Sequence, residues 1–444
     1  MCAATGSPPT GWRPSTRIAF RFCVVYFGSF CLLLTLIPFA LLGVLGRWVH
    51  RLGGRWTVSP ADPITGWVGR TFFGIDAVLR QDSGAGDQTA NWVLVFCILV
   101  VAVVATAVWT LIDRRTAHPR LSAWFTLFLR LCLGGQMLGF GLAKLIPTQM
   151  PGATLAQLLQ PYGDLSPASV LWLQVGSSHP YEMALGAAEV AAGLLLFVPR
   201  TAVLGAAASL ASMAQVLLLN LTFDIPEKLL SGHLLLISMV LFAPHVSRLV
   251  DFLVRQRPCE PPRQPMLFAD ARKNRIALWL QVALGLWVVL GGGYDRWTVW
   301  QDQYSAGSPR SELYGIWDVR DFTLDGRSAP PLTTDPNRWQ RIVFDGPAEA
   351  AYQRMDGELV PVHAEFRSGG RLQLTTVTLP GDVSTTTPTP FATMSAEQPT
   401  PDRLRLHGML NDRPVEVTLQ RVDPNDFTLN SRGFHWVQDY PYFR

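Results

Sequence analysis

The sequence predicts a membrane all-α bundle of about seven transmembrane helices, followed by an all-β, barrel-like domain outside the cytoplasm. Two observations predict this fold class. The 444-residue chain is 49% hydrophobic and only 16% charged, whereas a soluble chain usually has about 25% charged residues. The long apolar runs lie in residues 1–300, and residues 301–444 are polar and mixed. A helical membrane part and one separate domain of ordinary size are therefore expected.

Seven apolar runs are long enough to cross a bilayer, because about 20 apolar residues in a helix span its hydrocarbon core. The runs lie at 18–46, 91–112, 121–147, 181–198, 201–222, 229–245 and 276–294. The first run is predicted to be a signal anchor. Its apolar stretch from Phe22 to Leu45 is too long for a cleavable signal peptide, and no small-x-small cleavage site follows it.

The distribution of lysine and arginine predicts the orientation. The side that holds the N-terminus carries fourteen of these residues near the predicted spans, and the other side carries six. The richer side is expected to be cytoplasmic, so the N-terminus is predicted inside and the C-terminal domain outside. The net charge of +4 lies in these flanks. No basic face suits nucleic acid, so the expected partner is the lipid bilayer and not a nucleic acid.

The third and fourth runs carry charges inside otherwise apolar sequence. Arg130 and Lys144 are fourteen positions apart with Met137 midway, and Glu182 and Glu189 are seven apart. Residues spaced by seven stay close to one face of a helix, so each helix has a polar stripe. Charge at membrane depth is costly unless it is paired or faces water, which makes these stripes a functional-site hypothesis.

Depth counting predicts two ion pairs between these helices. Arg130 and Glu189 are both about 13–17 Å from the cytoplasmic side at the rise of an α-helix, and Lys144 and Glu182 are both near the outer end. The alternative is that the pairs only lock the helices together. Glycines on the same faces let the helices approach closely. These are Gly134, Gly141, Gly186 and Gly193.

The fifth and sixth runs add polar residues around an outer turn, which completes a candidate intramembrane polar site. Its members are Arg130, Lys144, Glu182, Glu189, Gln215, Asp224 and His233. The positions of His179, Glu182 and His233 match no metal-ligand template. A hydrogen-bonded interhelical histidine is favoured over a metal site, and no metal is predicted.

The six cysteines give no redox pair by spacing, since no C-x-x-C motif is present. Four of them lie in apolar runs, where a free cysteine acts as a small hydrophobe. The sequence also has no G-x-S-x-G, no H-E-x-x-H and no dinucleotide fingerprint. Whether the chain is an enzyme is left open by these patterns.

Three stretches within residues 91–250 share a pattern with a known family. The first is Arg130-Leu-Cys-Leu-Gly-Gly with Gly141-Leu-Ala-Lys144-Leu. The second runs from Ala188-Glu189 to Pro199-Arg200-Thr201, and the third from Asn220 to His233. In this combination the region resembles the DoxX family of bacterial four-helix membrane proteins.

This resemblance implies a four-helix core in the bacterial cytoplasmic (inner) membrane. It also implies association with membrane oxidoreductase subunits, including thiosulfate:quinone oxidoreduction, and a quinone as a possible cofactor. The chain lacks the sequence pair of cysteines that similar quinone-associated proteins use, which argues against thiol chemistry.

Residues 301–444 are expected to form a β-barrel or sandwich. Val415, Val417 and Leu419 alternate with polar residues, and Asp-Gly pairs mark turns. The stretch 314–317 resembles the G-x-W opening of lipocalin-like barrels. Residues 380–402, rich in Thr and Pro, are expected to form a mobile loop. The aromatic end, 432–442, is expected to be a barrel-closing strand and plug, or alternatively a ligand mouth or docking surface.

The predicted domains follow from these elements. They are a signal-anchor helix with an outer interfacial loop (1–90), the DoxX-like core (91–250), a basic cytoplasmic loop with the seventh helix (251–300) and the β-domain (301–444).

Three functions fit this organisation. The first is a redox-associated membrane subunit that holds a quinone against the polar site, where charged and imidazole groups relay protons. The second is binding or transport of a lipid-like ligand, with the β-domain as the capture module. The third is a scaffold for a membrane complex. A hollow barrel favours ligand capture, whereas a filled barrel favours scaffolding.

Overall fold

The computed structural model describes residues 11–34, 36–46, 62–80, 83–258, 266–305, 307–377 and 389–443. The chain divides into two compact units. One contains residues Met1–Met150 and His179–Trp300, and the other contains Pro151–Ser178 and Gln301–Arg444. Residues 47–61 and 81–82 of the predicted outer loop and residues 380–388 of the predicted mobile loop lie outside the described residues.

The first unit contains seven helices that are long and apolar enough to cross a membrane, in agreement with the seven predicted runs. These are α1 (Pro14–Leu33), α2 (Thr89–Ile112), α3 (Pro119–Leu145), α4 (His179–Phe197), α5 (Ala202–Thr222, preceded by the 3₁₀ turn Pro199–Thr201), α6 (Lys228–Leu253) and α7 (Ala271–Gln303). Shorter helical segments lie at Leu36–Phe39, Ala40–Leu42 and Asp62–Val68, and Gly69–Phe73 continues the last of these as a π-helical turn.

The first helix is shorter than the predicted 18–46. It ends at Leu33, and Leu34 has an extended backbone before the short helix Leu36–Phe39 begins. Pro38 explains the break. Proline has no N–H to donate to the carbonyl four residues earlier, and its ring clashes with that carbonyl. The carbonyl in question belongs to Leu34, where the helix stops.

Helices α3 to α6 pack in sequence, and α6 returns to contact α3, so they form a four-helix group. Helix α1 packs against α2 and also contacts α3. The core between these helices is apolar and includes Phe30 of α1, Leu133 of α3 and Ile237 of α6, all fully buried. The four-helix group therefore shares its core with α1.

The C-terminal unit contains a closed antiparallel barrel, as the sequence predicts. Its strands are β1 (Gly315–Leu324), β2 (Arg327–Ser328), β3 (Trp339–Phe344), β4 (Glu349–Arg354), β5 (Leu359–Arg367), β6 (Arg371–Thr376), β7 (Pro390–Thr400), β8 (Arg403–Leu410) and β9 (Arg413–Val422). Eight of them close into a ring because β1 pairs with both β3 and β9, and the two-residue β2 pairs only with the end of β1.

The predicted alternation on β9 is confirmed, since Val415, Val417 and Leu419 are all buried in the barrel core. Two other expectations for this unit are wrong. Pro390–Thr400, in the middle of the predicted mobile loop, is strand β7, because its backbone pairs with both β6 and β8. The aromatic end contributes no strand over its described residues, because β9 already closes the barrel against β1.

The segment Pro151–Ser178 differs from the predicted boundaries, which include it in the helical core. It belongs to the unit of the barrel, and it contains the short helix Pro167–Gly176. Leu155 and Leu159 pack with Ile316 and Val343 of the barrel. The Asp345 carboxylate accepts hydrogen bonds from the backbone N–H groups of Leu155 and Ala156. Its apolar side chains and its backbone donors are thus satisfied by barrel residues.

Candidate functional site

Helices α3 and α4 approach closely through the predicted glycines. A Cβ on Gly141 would lie 2.8 Å from a Val190 side-chain atom and 2.9 Å from the Gly186 carbonyl oxygen, and one on Gly193 would lie 2.9 Å from Leu138. A Cβ on Gly134 would lie 2.8 Å from the Phe197 ring. These contacts leave no room for larger side chains, so they fix the register of the two antiparallel helices.

This register pairs Lys144 with Glu189. The Lys144 Nζ donates to Glu189 Oε2 over 2.8 Å, and the two side chains are 8% and 6% exposed. The predicted pairs, Arg130 with Glu189 and Lys144 with Glu182, are wrong. Depth counting assumed that the two helices begin and end level, but α3 has 27 residues and α4 has 19. The glycine contacts set the register instead.

Arg130 binds a backbone carbonyl at the end of α4. Its Nε and Nη2 donate to the Leu196 carbonyl oxygen over 3.1 and 2.6 Å. Carbonyls in the last turn of a helix have no partner within the helix, and a cation there also interacts favourably with the helix dipole. Among the described residues, no carboxylate forms an ion pair with Arg130. Its charge therefore fastens the C-terminus of α4 to α3.

Glu182 is fully buried but only half satisfied. Its Oε1 accepts the backbone N–H of Met150 over 3.0 Å. Its Oε2 has no hydrogen-bond partner in the structure. A buried polar atom without a hydrogen-bond partner costs free energy. The Glu182 carboxyl group is therefore incompletely satisfied.

His233 forms hydrogen bonds through both ring nitrogens. Nδ1 lies 2.7 Å from the Leu229 carbonyl oxygen and Nε2 lies 2.8 Å from the Tyr26 hydroxyl. A carbonyl only accepts, so Nδ1 carries the proton and Nε2 accepts from the Tyr26 hydroxyl. The Phe30 ring stacks on the imidazole at a centroid distance of 3.9 Å. The expected hydrogen-bonded interhelical histidine is confirmed, and its partner Tyr26 lies on α1.

The turn between α5 and α6 is organised by Asp87, a residue that the predicted site does not include. Its two carboxylate oxygens accept the backbone N–H groups of Lys228 and Leu229 over 2.8 and 2.7 Å. An aspartate in this position caps the first turn of a helix. The sequence does not identify Asp87 as a helix cap, because Asp87 precedes α2 and is far in sequence from α6, the helix that it caps.

Asp224 and Gln215 lie away from the Lys144–Glu189 pair. Asp224 is exposed, has a positive φ of 53° and accepts from Lys228 Nζ over 2.9 Å. Gln215 is exposed on α5. The seven predicted residues therefore do not form one site. Lys144 and Glu189 contact each other, whereas Arg130, His233 and Asp224 each have separate partners.

Glu227 is held against the loop that precedes α2. A Cβ on Gly86 would lie 2.8 Å from the Glu227 carboxyl carbon, so the Glu227 carboxyl group packs directly on this glycine. Burial, together with the neighbouring Asp87 carboxylate, raises the pKa of Glu227 to about 6. The turn between α5 and α6 thus contains a carboxyl group that titrates near neutral pH.

The structure brings together two thiols that are far apart in sequence. Cys31 of α1 and Cys132 of α3 lie in the same buried cluster, close enough for their side chains to interact. Both are free and buried in the helical core. Spacing could not reveal this pair, because its members are on helices separated by α2. Among the described residues, no three His, Cys, Asp or Glu side chains gather as metal ligands.

These features define a class of protein, with seven long apolar helices around a core that contains an internal ion pair, and a closed eight-stranded barrel. The chain belongs to the same family as "Uncharacterized protein YwoB" of Bacillus subtilis (strain 168). The two are 31% identical over 137 residues, which are 29% of this chain and 79% of that protein. No family model and no solved structure matches the chain.

Proposed function

We propose that the chain is a multi-pass protein of the bacterial inner membrane, with its N-terminus in the cytoplasm and its barrel outside. Seven apolar helices of sufficient length support the crossings, and the bias of lysine and arginine supports the orientation. Reporter domains that are active on only one side of the membrane, fused after α2 and at the C-terminus, test it. Activity of both fusions on the same side would refute the orientation.

Within the membrane, the proposed role is that of an accessory subunit that docks other membrane proteins through its barrel. The observation that carries this role is the filled barrel interior. Trp317, Phe322 and Phe344 are almost completely buried in one continuous apolar core. A capture module needs a concave, accessible cavity, and these side chains occupy the interior. Recognition by the barrel is therefore assigned to its surface and not to its filled interior.

The exposed aromatic end supports docking. Trp436 and Phe443 are 90% and 91% exposed, and Tyr440 is 85% exposed. Aromatic residues are enriched at the centres of protein interfaces, and an exposed apolar group of this kind usually marks an interaction site.

Crosslinking in intact cells with a photoreactive residue at position 436 tests this role, with position 429 as the matched control. Leu429 is also exposed, but it precedes the aromatic end. A discrete membrane-protein adduct at 436 and none at 429 is expected. Absence of any adduct at 436, with normal membrane abundance of the chain, would contradict docking through this segment.

A second candidate function is the redox-associated subunit that the DoxX resemblance implies. The Cys31–Cys132 contact favours it, because two adjacent thiols can form one disulfide. That step releases two protons and two electrons, and a quinone takes up both to become a quinol. The buried carboxyl of Glu182 lies in the same unit and offers a site for proton exchange.

Adding a short-chain quinone to the reduced, detergent-solubilised chain tests this function. Formation of one quinol for each pair of thiols lost is expected, and Cys132→Ala abolishes it. Cys97→Ala is the control, since Cys97 lies on α2 and packs in another apolar cluster. Retention of both thiols after quinone treatment would refute the redox function.

A further inference from the structure

An apolar groove of about 350 Å³ lies between α3 and α7, at the end of the helical unit where both helices begin. One wall consists of Trp124, Leu127 and Leu131 on a single face of α3. The other consists of Ile276, Leu280 and Leu284 on a single face of α7. From Trp124 to Leu131 the groove follows the helix for about 10 Å.

The groove has a defined end that is held in place by specific contacts. Phe268 closes one end, where its ring packs edge-to-face on Trp124 at a centroid distance of 5.6 Å. Two hydrogen bonds hold Phe268 there. Its N–H donates to Asn274 Oδ1 over 3.0 Å, and its carbonyl accepts from Asn274 Nδ2 over 2.7 Å. The start of α7 therefore fixes the third side of the groove.

Two basic side chains lie at the closed end of the groove, near the Asp270 carboxylate that accepts the Arg272 N–H at the start of α7. Leu142 of α3 and Gly292 of α7 lie close together, at nearly equal distances from the first residues of their helices. The two helices are therefore parallel, and both N-termini, with their positive dipole ends, are at this end. Lys273 lines the groove here. Arg120 lies one turn before Trp124 on the same face of α3 and is exposed.

We propose that this groove binds one acyl chain of an anionic phospholipid, with the phosphate against Lys273 and Arg120. The proposal rests on the proposed membrane crossing. Apolar walls exclude a free phosphate as the main occupant, whereas a chain with a phosphate at one end matches both the walls and the charges. Each lysine or arginine near an anionic surface strengthens binding by about fivefold.

Native mass spectrometry of the full chain in detergent tests the proposal, with phosphatidylglycerol and phosphatidylcholine of the same acyl composition. Preferential retention of phosphatidylglycerol is expected. Lys273→Gln lowers that retention by about fivefold. Arg275→Gln is the matched control. It removes the same charge two residues away, on the face of α7 opposite the groove residues, and leaves retention unchanged.

Ala277→Phe tests the apolar part, because Ala277 lines the groove and a ring there fills it. Loss of retention with an unchanged melting midpoint is expected. Equal retention of the two lipids, or retention unaffected by both Lys273→Gln and Ala277→Phe, would overturn the proposal. If Ala277→Phe fails to fold, Lys273→Gln with its Arg275→Gln control decides.

Extraction of cell membranes with alkaline carbonate separates this inference from the proposed membrane crossing. A chain that stays in the membrane but shows no lipid preference overturns the groove proposal alone. A chain released into the soluble fraction overturns both, because the lipid site requires the membrane.

Discussion

The helical unit and the barrel bury their side chains in different ways. The barrel core is mainly an apolar cluster, and the alternation of inward and outward positions along each strand places its members. Its buried Arg338 and Gln353 bind carbonyls only nine and four residues away in sequence. The helical unit buries an ion pair, an arginine on a backbone carbonyl and a histidine between two hydrogen-bond partners. Each of these polar groups depends on one particular neighbour from another helix.

This difference predicts which substitutions each region tolerates. Replacing one apolar barrel residue leaves a cavity, whose cost scales with its size. Removing one partner of a buried polar pair leaves an unsatisfied charge, which costs more for the same number of atoms. The helical unit is therefore expected to be sensitive to isosteric changes that the barrel would accept.

The largest effect is expected from Glu189→Gln, which leaves the Lys144 ammonium buried without its counter-charge. A loss of about 3–5 kcal/mol in the free energy of unfolding is expected, measured by denaturation in mixed micelles. Glu182→Gln is the matched control and should cost clearly less, because an amide oxygen still accepts the Met150 N–H and the Lys144–Glu189 ion pair stays intact.

Replacing both partners, with Lys144→Met and Glu189→Leu together, should restore most of that loss, because neither member of the pair is then left buried without its counter-charge. Equal unfolding free energies for Glu189→Gln and Glu182→Gln would contradict the pairing of Lys144 with Glu189.

Trp317→Ala measures the barrel side of the comparison. The side chain is 1% exposed, and its indole N–H donates to the Leu313 carbonyl. A loss of about 3–5 kcal/mol is expected from the cavity, read from the near-ultraviolet unfolding transition. Trp436→Ala removes an exposed tryptophan and should stay within about 0.5 kcal/mol of the parent. A similar cost for both would show that the barrel interior is not packed.

Gly186→Ala is expected to have a smaller effect. Its Cβ would clash with the Leu145 backbone nitrogen and the Gly141 carbonyl oxygen, so α3 and α4 must separate. A cost of about 1–3 kcal/mol follows from overpacking. Gly139→Ala is the control, since nothing lies near its Cβ position, and alanine there stabilises the helix by about 0.5–1 kcal/mol. Destabilisation by both changes would argue against the register set by the glycines.

The smallest effect is a pH dependence from Glu227. Its pKa is raised to about 6 in the folded chain, from 4.5. The folded state therefore binds the proton more tightly than the unfolded state. This contribution to stability is fully present below about pH 4.5 and is lost as pH rises through about 6. The melting midpoint of Glu227→Gln minus that of the parent should rise over this window. A difference that stays constant with pH would refute the raised pKa.

Much of the fold follows from the sequence alone. The seven helices follow from apolar runs of bilayer length, and the barrel follows from alternation and Asp-Gly turns. The four glycines between α3 and α4 were also predictable, because small residues on one face permit close approach. The break at Leu34 had a signal in Pro38, but the length of the apolar run concealed it.

The partners of the polar residues were not predictable. Lys144 is equally compatible by sequence with Glu182 and Glu189, and only the register chooses Glu189. Asp87 caps a helix that begins at Lys228, and Cys31 lies beside Cys132. No local pattern connects residues so far apart, because their distance depends on how several helices pack.

The sequence by itself determined that this chain has seven apolar helices and a separate barrel, because long apolar runs predict the helices and alternating apolar residues predict the strands. Only the tertiary structure decided that Lys144 pairs with Glu189, that Arg130 binds the end of α4 and that the barrel interior is filled. Those outcomes depend on interhelical register and on side-chain volume in three dimensions. A shift of one turn, about 5.4 Å along a helix, changes which charges can meet, and composition and spacing do not record it.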